Sequence, residues 1–95
     1  MTASDQPAAR WVVSGFVQGV GFRFFVAREA ARAGVVGWVR NLPDGRVEAV
    51  ARGTSEALAE FENALRRGPR MASVENVEKL QIPPESVRGN AFEIK

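Results

Sequence analysis

The chain's 95 residues, 45% hydrophobic and 25% charged, bound it to one domain, too short for a dinucleotide fold with two βαβαβ halves. With no cysteine and no histidine, disulfides, zinc sites of the usual Cys/His kind and Ser–His or Cys–His catalysis are excluded. The formal net charge is only +2, yet Arg10 to Arg52 holds seven arginines against Glu29, Asp44 and Glu48, while the remainder is net acidic.

That asymmetry fits ordinary solvated charge for most of these arginines or an anionic ligand near the N-terminal half, and charge alone does not choose between them. It argues weakly against a nucleic-acid module, which needs a larger basic excess. No run approaches the roughly 20 apolar residues of a membrane span. The N-terminus lacks the basic and apolar blocks of a signal peptide. A cytoplasmic location is therefore expected, and the lack of cysteine fits a reducing compartment.

Residues 1–9 read as a flexible, polar lead-in, and residues 10–95 as a single domain. The first strand is expected over Arg10 to Val17. Trp11, Val13 and Val17 alternate onto one face, and Val12, Ser14 and Phe16 onto the other. Gly15, Gly19 and Gly21 punctuate a loop. A helix follows from Phe22 to Ala33, with Phe22, Phe25, Val26, Ala30 and Ala33 in one apolar stripe and Gly34 as its stop. Val35 to Asn41 reads as a strand. Leu42-Pro43-Asp44-Gly45 is a turn, and Arg46 to Arg52 alternates, so the two strands form a hairpin.

Thr54 is a candidate N-cap for a second helix ending near Arg67, with Leu58, Phe61 and Leu65 on its inner face. Ser73 to Gln81 is a fourth strand. Val74 and Val77 stand three apart, which predicts a bulge. Pro83-Pro84 breaks it, and Ala91 to Ile94 forms a short fifth strand. The expected fold is α+β: a ferredoxin-like βαββαβ sandwich, an antiparallel sheet of four to five strands with two helices on one face. The other face stays partly exposed, with Phe16, Val12, Trp38 and Val50 read as scattered surface apolars in preference to an association surface.

Chemistry concentrates in Gly15-Phe16-Val17-Gln18-Gly19-Val20-Gly21-Phe22-Arg23. A glycine-rich loop there enters a helix N-terminus, where backbone N–H groups lack intrahelical partners and the dipole is positive. Such N–H groups can curl into an anion nest, with phosphate the natural occupant. On glycine content alone, a tight packing turn is the commoner explanation. Arg23 shifts the balance, because a cation opposes the helix dipole unless an anion lies between them. The spacing matches neither a P-loop nor the dinucleotide fingerprint. Asn41, before the hairpin turn, reads on spacing alone as an Asx-type backbone contact.

The loop together with Gly37-Trp38-Val39-Arg40-Asn41 resembles the signature of the acylphosphatase family. The resemblance continues through Asp44-Gly45-Arg46-Val47-Glu48, Gly68-Pro69 and Phe92-Glu93-Ile94. It implies a small stand-alone enzyme that hydrolyses acyl phosphates to carboxylate and inorganic phosphate. Phosphate would be held by Gly15, Phe16, Val17, Gln18, Gly19, Val20, Gly21, Phe22 and Arg23, with Asn41 positioning the attacking water. Arg23 and Asn41 are thus the implied catalytic pair. The family needs no metal and no organic cofactor. The implied partners are a small acyl phosphate and inorganic phosphate, the latter as product and competitive inhibitor. No nucleic acid or membrane is expected, and a monomer is. Phe16 departs from the polar or basic residue of many relatives, and Leu42 from the hydroxyl of some. Support of Arg23 by the Lys95 end of the chain is an open question at this point. Two alternatives remain: a non-catalytic module binding the same anion, and a ferredoxin-like RNA binder.

Overall fold

A computed structural model describes residues 6–95. Its elements are strand β1 (Ala8–Phe16), helix α1 (Phe22–Ala33), strands β2 (Val36–Asn41) and β3 (Val47–Arg52), helix α2 (Ser55–Arg67), strand β4 (Ser73–Ile82) and strand β5 (Phe92–Ile94). A 3-10 turn, Pro84–Ser86, lies between the last two strands. The order βαββαβ is the expected one. β1 starts at Ala8, two residues before its expected start, because Ala8 and Ala9 pair with Arg52 and Ala51 of β3 and are buried. Residues 1–5 of the expected lead-in lie outside the described residues.

The five strands form one sheet in the order β4-β1-β3-β2-β5. Odd-numbered side chains of β1 and β3 face the helices. Trp11, Val13, Val47, Ala49 and Ala51 are all fully buried there, against Phe22, Val26 and Ala30 of α1 and Phe61 and Leu65 of α2. The Trp11 and Phe61 rings meet edge to face at 5.3 Å, and Phe61 meets Phe92 at 5.7 Å. Full burial of a side chain such as Phe61 contributes about 1.5–3 kcal/mol. The predicted bulge is present. Ser14 pairs with Asn76 but Gly15 with Val74, so Glu75 is the extra residue, and both Val77 and Val74 pack on the core.

Two expectations need correction. The sheet is mixed, not antiparallel, because β5 runs parallel to β2. β4 occupies one edge and β5 the other, so the chain must cross the sheet and enter β5 from the end where β4 finishes. β5 therefore runs opposite to β4 and along β2. The crossing segment also corrects the reading of scattered apolars on the second face. Val87 in that segment is buried in a cluster with Ala8 and Val50, flanked by Val36, Trp38 and Ile82. The Arg52 guanidinium holds it by donating to the carbonyls of Val87 and Gly89. Val12 and Val50 are buried, and Phe16 remains exposed.

Candidate active site

The two helices begin in opposite ways. At α2 the Thr54 hydroxyl accepts the Ala57 N–H at 3.0 Å, and Glu56 places an acid in the first turn. The chain thus caps and neutralises that N-terminus itself. At α1 the N-cap is Gly21, in the left-handed region at φ 75°, with no side-chain cap and no acid in the first turn. Among the described residues, no hydrogen bond takes up a backbone N–H between Gln18 and Phe24. Phe25 is the first to donate, to the Gly21 carbonyl at 3.0 Å. Gly19, at φ 77°, lies in the same loop. This end of α1 is a positive, unsatisfied surface built from main chain.

A cavity of about 160 Å³ opens at that surface, lined by Val17, Gly19, Gly21, Phe22, Arg23, Phe24 and Asn41. It therefore brings together Arg23 and Asn41, 18 residues apart in sequence, with part of the loop. Its lining includes no carboxylate, so the electrostatic character is cationic.

The other loop residues have different surroundings. Gly15 lies where β1 approaches β4. A Cβ on it would fall 2.2 Å from the Ser73 carbonyl oxygen, so packing alone demands glycine there. Phe16 points to the second face of the sheet and is 63% exposed. Val20 packs partly against the core. The Gln18 amide donates to the carbonyls of Leu42 at 2.8 Å and Arg46 at 2.9 Å, tying the loop to the β2–β3 turn that follows Asn41. One side chain thus couples the glycine loop to the strand end that carries Asn41. An amide among glycines was the sequence signal for such a tie.

The Asx-type contact in the hairpin turn is made by Asp44, not by Asn41. Its carboxylate accepts the Arg46 backbone N–H at 3.1 Å and the Arg46 Nε at 2.7 Å. The Arg46 N–H and guanidinium hold that carboxyl below its ordinary pKa, against the opposing effect of desolvation. Asn41 takes part in none of these bonds and lines the cavity. The Arg23 guanidinium donates from Nη1 to the Lys95 backbone oxygen at 2.9 Å, so this end of the chain does support Arg23. Phe24 lines the cavity although no motif singled it out. Its signal was an aromatic residue off the apolar stripe of α1.

The acylphosphatase family model matches residues 9–94. An acylphosphatase of Anaeromyxobacter dehalogenans is 49% identical over 92 residues, 97% of this chain and 98% of that protein. The crystal structure of acylphosphatase from Bacillus subtilis superposes with a TM-score of 0.86 at 39% identity, covering 94% of this chain and 98% of that one. The structure of an acylphosphatase from Coxiella burnetii does so with a TM-score of 0.89 at 35% identity, covering 100% of both. With the family model, sequence and fold in agreement along nearly its whole length, this chain belongs to the acylphosphatase family.

Proposed function

We propose that the chain hydrolyses the carboxyl–phosphate bond of acyl phosphates, with the phosphoryl group held by the 15–22 loop and Arg23 and the water held by Asn41. One observation carries this reading: α1 begins with unpartnered N–H groups and no acid of its own, in a cavity shared by Arg23 and Asn41.

Phosphoryl transfer depends mostly on positioning and charge stabilisation. The loop N–H groups and Arg23 spread the developing charge over the equatorial phosphoryl oxygens. Arg23 enters pre-oriented, since its bond to the Lys95 oxygen fixes one nitrogen and leaves the rest of the guanidinium for bidentate contact. Asn41 holds the water in line. The water oxygen bonds to phosphorus as the bond to the carboxyl oxygen breaks, and the carboxylate departs with that electron pair. A carboxylate is a good leaving group, so no strong general acid is required. An amide cannot remove the water's proton fully, and that proton passes to a phosphoryl oxygen of the substrate. Positioning of this kind contributes up to roughly 7–11 kcal/mol in ideal cases. Inorganic phosphate, as product, competes for the same donors. The reaction needs no metal in this scheme, and the chain acts as a cytoplasmic monomer.

Hydrolysis of benzoyl phosphate in the presence of a chelator tests the proposal. Sustained turnover with competitive inhibition by phosphate supports it. Phosphate binding without turnover would make the non-catalytic anion module the better account.

A further inference from the structure

We infer that Phe24 selects the acyl half of the substrate, favouring acyl phosphates whose acyl group is apolar, and aromatic ones above all. The inference rests on the acyl phosphate reading above and deepens it.

Phe24 is 76% exposed, the most exposed large hydrophobic side chain among the described residues, yet it lines the same cavity as Arg23 and Asn41. Nothing in the fold accounts for an aromatic there. The core stripe of α1 is complete with Phe22, Phe25, Val26 and Ala30, and Phe24 belongs to neither core cluster. The other exposed positions of α1, Arg28, Ala31 and Arg32, are charged or small. An exposed aromatic ring beside a cationic cavity stabilises nothing in the free protein; it offers surface to a ligand.

In-line displacement gives that surface a role. Asn41 sits at the end of β2, so attack comes from the sheet side of the cavity. The leaving group must depart on the opposite side of phosphorus. Two residues on from the buried Phe22, about 200° round the helix at 3.6 residues per turn, Phe24 points away from the sheet. The departing carboxylate and whatever is attached to it therefore emerge on the side where Phe24 stands. The donors in the cavity serve the phosphate, and its lining includes no cation besides Arg23 and no carboxylate to pair with a charged acyl tail. What remains for the acyl group is an apolar, aromatic face. Stacked or edge-on contact with such a ring is favourable beyond simple area burial.

The test compares benzoyl phosphate with acetyl phosphate, using the unmodified chain, Phe24→Ala, Phe24→Trp and, as a control, Leu80→Ser. Leu80 is also exposed, at 60%, but lies on β4 away from the cavity. Phe24→Ala is expected to lower kcat/KM for benzoyl phosphate about five- to tenfold and for acetyl phosphate less than about twofold. The change should fall mainly in KM, with the phosphate inhibition constant unmoved. Phe24→Trp should keep the benzoyl preference, and Leu80→Ser should leave both substrates unchanged. Equal losses on both substrates, or no loss on benzoyl phosphate, would overturn the selection role while leaving the hydrolase reading intact. If the unmodified chain hydrolysed neither compound, the activity itself would fall, and this inference with it.

Discussion

Arg23 illustrates how one side chain can be costly in isolation and useful in context. A cation in the first turn of a helix opposes the macrodipole, an effect of about 0.3–1 kcal/mol. α1 accepts this cost with no acid nearby, whereas α2 places Glu56 at the equivalent point. The conflict resolves when an anion lies between the guanidinium and the free N–H groups. Arg23→Gln keeps the length and some hydrogen-bonding capacity but removes the charge. It is expected to lower turnover by about 10²–10³, the usual effect of losing one good transition-state donor, and to weaken inhibition by phosphate. An unchanged phosphate inhibition constant would contradict the placement. Arg23 and the glycines of its loop were legible in the sequence because their oddity is local: a cation and three turn residues in one short stretch. The bonding partners of Gln18 and Arg23 were not, since each lies 24 or more residues away.

Among the elements, β1, β2 and β3 share one device that local patterning hides. Glu48, in the middle strand β3, is 3% exposed and is held by Arg10 from β1 and Arg40 from β2. Alternation places Glu48 on the second face, but only strand order shows that it has an arginine on either side. Arg40 in turn lies over the Trp38 ring at 5.1 Å, which extends the contact along β2. Burial alone would raise the Glu48 carboxyl. The hydrogen bonds and charges of Arg10 and Arg40 outweigh it and hold the group below its ordinary value of 4.5. Glu62 shifts the same way: the Trp11 N–H lowers it, burial opposes, and Arg66 and Lys79 add to the lowering. A carboxylate lowered in the folded state stabilises the protein above its unfolded pKa, and that stability is lost as pH falls through the folded value. Thermal melts from about pH 7 down to about pH 3 should therefore show a Tm that holds near neutrality and declines in acid. Glu48→Gln should cost about 1–3 kcal/mol at neutral pH and flatten that acid decline. Each kcal/mol corresponds to roughly 4–8 °C in Tm for a domain of this size. An acid limb unchanged in the variant would remove Glu48 as its source.

The whole molecule brings to one end of the sheet what the sequence keeps apart: the loop after β1, the first turn of α1, the end of β2 and the residue after β5. The βαββαβ order and the β4 bulge could be read from periodicity, because strand and helix periods are local properties. The parallel pairing of β5 and the covering of the second face could not. Both depend on where β4 lies in the sheet, and no run of residues encodes that position by itself. Pro83-Pro84 signalled a break, but not a crossing from one edge to the other. The same limit applied to Asn41, whose spacing suited an Asx turn as well as a site residue. The fold gives the turn contact to Asp44 instead. In the proposed reaction this assembly holds a phosphoryl group with one set of atoms and a water with another. The most direct test measures benzoyl phosphate hydrolysis in chelator for the unmodified chain and Asn41→Ala, together with phosphate inhibition of each. Turnover is expected to be fast in the unmodified chain and to fall by about 10²–10³ in the variant, with the phosphate inhibition constant nearly unchanged. Parallel loss of turnover and phosphate affinity, or turnover that survives the substitution, would contradict it.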